Sequence, residues 1–133
     1  MDAPGLDLRH RPDLPALIAR WQHDTTAHEV RLGYETLRAL ADEVSCHRWL
    51  LDLRRRADIT EPAVNAWFGN EFTPSLRGRY DAPVRLAFLV SPLRAAAPVS
   101  ALVSPLTSDC LIATFTDEAA AHAWLAVNEQ VSN

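Results

Sequence analysis

Apolar and polar positions along the chain fall into two rhythms. Leu6-Asp7-Leu8-Arg9 alternates with a period of two, as a strand does when one face meets a core and the other meets water. Ala16-Leu17-Ile18-Ala19-Arg20-Trp21 is almost continuously apolar and reads as a second strand. Between them, Arg11-Pro12-Asp13-Leu14-Pro15 carries turn chemistry, since Pro presets φ and Asp favours turns. The pattern predicts an antiparallel hairpin whose charged first strand lies at a sheet edge. From Val30 the rhythm changes. Val30, Tyr34, Leu37, Ala41 and Val44 step by four and three, which is one stripe of a helix over 27–44. Thr26-Ala27-His28-Glu29 opens that helix with a capping box, and Gly33 is its weak point.

His47-Arg48-Trp49-Leu50-Leu51-Asp52-Leu53-Arg54 reads as a strand buried on both faces, the signature of the middle of a parallel sheet. A helix is expected after Thr60, with Pro62 in its first turn and Val64, Trp67, Phe68, Phe72 and Leu76 inward. Pro74 should kink or end it. After the turn Asp81-Ala82-Pro83 comes an apolar strand, Val84–Val90. Residues 91–108 are interrupted by Pro98 and Pro105 and predict one or two short helices. Cys110–Phe115 is the last strand. Thr116-Asp117-Glu118 then caps a final helix whose Ala121, Trp124 and Leu125 face the core. The order is β-β-α-β-α-β-α-β-α. It predicts a single α/β domain over 1–133, ordered from about 6 to 127, with a mixed, mainly parallel five-stranded sheet and about four helices.

Composition narrows this picture. The 133 residues are 48 % hydrophobic and 23 % charged, a globular balance. Net charge is −4, which argues against a general nucleic-acid binder. All 13 basic residues are arginine. Cys46 and Cys110 are expected as buried reduced thiols. MDAPGLDLRH has no basic stretch followed by an apolar one, and no run of about 18 apolar residues exists. A signal peptide and a membrane span are therefore not expected, and a cytoplasmic location is.

The chemistry in the sequence is sparse. His23 and His28 are five apart, not the i, i+4 spacing of a zinc pair, so no metal site is expected. Neither a nucleophile elbow nor a phosphate-cradling glycine loop is present, and no cofactor is expected. There remains the loop leaving the central strand, the position where α/β sheets usually bind ligands. Asp52 ends the strand and either acts as an acid or, the favoured role, caps the loop by accepting backbone amides. Arg54, Arg55 and Arg56 either bind an acidic partner or phosphate, or pair with Asp52, Asp58 and Glu61. Thr60 is either a regulatory phosphosite or, more simply, a helix N-cap. Ser91 ends the next strand and either contacts a ligand or caps the helix expected after it.

The order of elements, together with Trp49-Leu50-Leu51-Asp52-Leu53, Leu89-Val90-Ser91-Pro92 and Phe115-Thr116-Asp117-Glu118-Ala119 running into Ala123-Trp124-Leu125, resembles the STAS domains of bacterial anti-sigma-factor antagonists. The resemblance covers about 6 to 127. It implies a regulatory module that binds a protein partner through the loop after the central strand. In that family the loop carries Asp-Ser-Ser-Gly, whose serine is phosphorylated. Here Asp52 matches, the Ser-Ser-Gly is absent, and Thr60 is the only hydroxyl near that position. The resulting expectation is a non-catalytic regulatory or interaction module with a protein partner, compatible with a homodimer. The alternative is a small-molecule or lipid binder with a pocket under 91–108. The proposed surface is Asp52, Arg54, Arg55, Arg56, Thr60 and Ser91.

Overall fold

The computed structural model describes residues 5–13, 15–22, 26–55, 62–80, 82–91 and 110–126. Strands β1 (Leu6–Arg11) and β2 (Ala16–Trp21) form the expected antiparallel hairpin, with Leu6 opposite Trp21 and Arg11 opposite Ala16. Strands β3 (Arg48–Asp52), β4 (Val84–Leu89) and β5 (Cys110–Phe115) continue in parallel, so the sheet order is β1-β2-β3-β4-β5. The result is a five-stranded mixed sheet with one antiparallel pair. Three α-helices accompany it among the described residues: α1 (Ala27–Val44), α2 (Pro62–Trp67) and α3 (Glu118–Leu125). The helix or helices expected within 91–108, and the pocket expected beneath them, fall outside the described residues apart from Ser91.

Successive parallel strands step in one direction across the sheet. Crossovers of one hand therefore place their helices on one face. α1 and α2 share that face, over Leu17, Ala19, Trp21, Trp49, Leu51, Leu86 and Phe88. The α1 stripe is buried as expected at Val30, Tyr34, Leu37 and Ala41. Its capping box closes in both directions, with Glu29 N–H donating to Thr26 Oγ1 and Thr26 N–H to Glu29 Oε1. Tyr34 is the hub of the core on this side. Its ring centroid lies 5.1 Å from Trp21, 4.9 Å from Phe68 and 5.3 Å from Phe72, tilted arrangements that aromatic quadrupoles favour.

The segment after α2 departs from a plain helix. Phe68–Phe72 is a π-turn, closed by Thr73 N–H donating to Phe68 O, and Pro74–Leu76 is a 3₁₀ turn. Pro74 has no N–H to offer the carbonyl four residues back, and its ring crowds that carbonyl. The helix widens before Pro74 and tightens after it, and Phe68, Phe72 and Leu76 all stay buried.

Among the described residues the opposite face carries the smaller cluster. Ala16, Ile18, Leu50, Ala87 and Leu89 lie beneath Ala121 and Leu125 of α3, with Phe115 and Trp124 at the margin. Trp124, expected in the core, is only partly buried. Arg85 is buried beside it. The guanidinium lies 5.0 Å from the Trp124 ring and donates to Trp124 O at 3.2 Å. An arginine suits that place, because the last turn of a helix leaves carbonyls without partners. Cys46 and Cys110 are free and buried, and Cys110 belongs to β5, two strands away from the β3 that Cys46 precedes. Among the described residues no helix is long and apolar enough to cross a membrane.

Candidate functional site

Parallel pairing sets Arg20 of β2 opposite Asp52 of β3. Both stand near the ends of their strands on the α3 face, at the carboxyl edge of the sheet. Arg20 Nη1 donates to Asp52 Oδ2 at 2.7 Å. Its two terminal nitrogens also grip Glu118, at the start of α3, with Nη1 at 3.1 Å from Oε1 and Nη2 at 2.7 Å from Oε2. Arg54 closes the ring from the loop side. Its Nε and Nη2 donate to the two oxygens of Asp52 at 3.0 and 2.9 Å, and Nη2 reaches Glu118 Oε1 at 3.2 Å. Arg54 N–H donates to Asp52 Oδ1 at 3.1 Å, so Asp52 does cap its loop. His122, one turn along α3, places Nε2 3.2 Å from Glu118 Oε2 without hydrogen-bonding geometry.

Two arginines and two carboxylates thus alternate around one ring. Charge-assisted bonds of this type are short and about twice as strong as neutral ones. They also set the protonation of the ring. Burial pushes the Asp52 carboxyl up, but the Arg54 side-chain and backbone donors and Arg20 outweigh it, and its pKa falls below the usual range. The Glu118 carboxyl is also lowered, chiefly by the Arg20 hydrogen bonds. The guanidinium of Arg20 is raised, first by Glu118 and against the penalty of burial, and that of Arg54 first by Asp52. All four groups are therefore held in their charged forms near neutral pH.

Beside the ring opens a cleft of about 510 Å³, bounded by Arg20, Trp21, Gln22, Asp52, Arg54, Arg55 and Glu118. Arg55 is part of its lining and donates to Gln22 Oε1, also in the lining, at 2.7 Å. The expected residues Asp52, Arg54 and Arg55 thus meet here. Ser91 lies at the same sheet edge, beyond β4, but does not line the cleft. Arg56 and Thr60 fall outside the described residues.

Arg20, Gln22 and Glu118 were not among the expected site residues. Arg20 carried a readable signal, since it is the one charge in the otherwise apolar β2 and stands near its carboxyl end, as Asp52 does in β3. Glu118 reads locally as a helix-dipole acid, and its reach to Arg20 spans 98 residues.

A smaller hollow of about 290 Å³ lies at the opposite edge of the sheet, lined in part by His10, Ser45, Cys46 and His47. Cys46 Sγ donates to backbone carbonyls there, and burial raises its thiol pKa, which makes it a poor nucleophile. Among the described residues, no cluster of three or more His, Cys, Asp or Glu could hold a metal ion. Comparison with protein-family models, with curated proteins and with solved structures returns no match for this chain.

Proposed function

We propose that this protein is a non-catalytic regulatory module, similar to the STAS domains of bacteria, that acts in the cytoplasm by binding a protein partner. The surface is the carboxyl edge of the sheet: the cleft beside Asp52, Arg54 and Arg55, and Ser91 at the same edge, with Arg56 and Thr60 assigned to it from the sequence alone. One observation carries the reading. The charged groups at this edge are arranged for recognition and are poorly suited to proton transfer. An acid or base in catalysis works best with a pKa near the operating pH. Asp52 and Glu118 are instead held below the usual carboxylate range by arginines that already occupy their oxygens. Arg55 meets the Gln22 amide in the cleft lining, so a positive charge stands there without a carboxylate on it among the described residues.

Affinity recovery from the native organism tests the reading. The wild-type chain should recover a partner that Arg55→Glu loses, while both proteins melt at the same temperature, because Arg55 is exposed and, among the described residues, its guanidinium bonds Gln22 alone. Equal recovery by both would remove this edge as the binding surface. Arg54→Glu is a poorer probe. It sets a negative charge against buried Asp52 and weakens the fold itself.

A further inference from the structure

The two carboxylates of the ring are held very differently, and that difference bears on what the cleft takes up. We infer that Arg20, Arg54 and Arg55 form a receptor for the carboxylates of an acidic peptide segment, and that Glu118 occupies the place of one such carboxylate in the unbound protein. The inference rests on the reading of this edge as a partner surface and adds the chemistry of the partner.

Asp52 cannot leave the ring. Its side chain is 9 % exposed, it sits on a central strand, and it accepts from Arg20, from the Arg54 guanidinium and from the Arg54 backbone. Withdrawing it would strand a buried charge. Glu118 is 29 % exposed, forms part of the cleft wall, and hangs from the first turn of α3 on a side chain with three rotatable bonds. Arg20 holds it end-on through both terminal nitrogens, a paired geometry in which a guanidinium binds carboxylates generally. An incoming glutamate or aspartate can repeat those bonds while Glu118 turns out to water. The exchange conserves the number of charge-assisted hydrogen bonds, so the displaced contact costs Arg20 little. With Glu118 turned away, the cleft lining among the described residues keeps three guanidinia and one carboxylate, Asp52, a local charge of +2. Arg55 lies beside the exchange point and can meet a second acid on the same segment.

The rest of the molecule favours a peptide over a polyphosphate backbone. The chain carries −4 overall and no lysine, so no broad basic field exists to collect counterion-coated nucleic acid. A short acidic segment is attracted only where this patch overrides the general charge, which fixes where it docks.

Fluorescence anisotropy with a labelled, N-acetylated hexaglutamate peptide at low salt tests the inference. Glu118→Gln keeps the shape of the side chain but removes the competing charge, and should bind the peptide about tenfold tighter than wild type, the scale of one charge-assisted hydrogen bond. Arg55→Gln should bind it several-fold more weakly, and added salt should weaken all binding. A hexaglutamine peptide should not bind. The inference is overturned if Glu118→Gln binds no better than wild type, if Arg55→Gln binds as well as wild type, or if an oligothymidine strand competes better than hexaglutamate itself. Should Glu118→Gln melt early, Arg55→Gln and the hexaglutamine comparison decide alone. Failure here with recovery of a partner still sensitive to Arg55→Glu removes the acidic-peptide assignment and leaves the partner surface. The expected peptide affinities with recovery insensitive to Arg55→Glu support the carboxylate receptor and remove the regulatory reading.

Discussion

Asp42, Asp52 and Glu118 share a condition that sets how this protein responds to acid. Each is held below the ordinary carboxyl range: Asp42 first by its hydrogen bonds from Arg79, Glu118 first by those from Arg20, and Asp52 by arginine donors that overcome its burial. Unfolded carboxyls take up protons at about pH 4, and these three do so lower. The unfolded chain therefore binds more protons in that window. The stability these groups contribute is complete above about pH 4 and is lost as pH falls through their folded values. Thermal melts across the acid range should show the midpoint falling below about pH 4, and Asp52→Asn should flatten that slope while lowering the midpoint at neutral pH.

Gly33 marks a limit of reading single residues. Its cost to the helix is local and legible, about 1 kcal/mol relative to alanine. Its benefit is not, because it depends on a side chain twelve positions earlier. A Cβ at this position would lie 3.1 Å from Trp21 Cζ2 and 3.4 Å from Leu6 Cδ2. Trp21 is 1 % exposed and packed against Tyr34, so it has nowhere to retreat. Gly33→Ala should destabilise by about 1 kcal/mol despite its better helix propensity, read as a lower urea midpoint with unchanged slope. Asp52 was legible for the opposite reason. A lone carboxylate ending an apolar strand announces itself, as does the lone charge of Arg20 in β2, whereas the pairing of the two becomes visible only once the register of the strands is known.

Among the elements, those governed by periodicity were the easiest to anticipate. The α1 stripe and its capping box stand where the spacing predicts, as does the hairpin with its charged edge, where Asp7 pairs with Arg9 and Arg11 with Asp13. The central strand ends at Asp52, and Arg54 already lies in a turn, because the chain leaves the sheet there to place its guanidinium on the α3 face. Pro74 signalled a break but not its form. A proline removes one hydrogen bond, and whether the backbone answers with a kink or a π-turn depends on which aromatic rings must remain inside. The end of α1 offers a test at this scale. Ser45 closes the helix in the left-handed region, at φ 54°, and is exposed. That conformation costs a residue with a Cβ roughly 1 kcal/mol or more, and glycine gives back part of the gain through its freer unfolded state. Ser45→Gly should therefore raise stability by about 0.5 kcal/mol, seen as a higher melting temperature.

For the whole molecule, alternation of strands and helices indicated a mainly parallel sheet, and the five strands pair as one. The unequal packing of its two faces among the described residues could not be foreseen. The broad face is filled by large aromatic side chains whose spacing is conspicuous, while α3 buries only Ala121 and Leu125 completely, and small residues carry little directional signal. α3 is instead tied at its start through Glu118 to Arg20 and Arg54, and at its end through the Trp124 carbonyl to Arg85. Ionic tethers weaken with dissolved salt, whereas apolar burial does not. Native-state hydrogen–deuterium exchange should therefore find two populations of slow amides. Those of β3 and β4 should keep their protection as salt rises, and those of α3 should lose it, opening as a unit of its own while the sheet beneath stays closed.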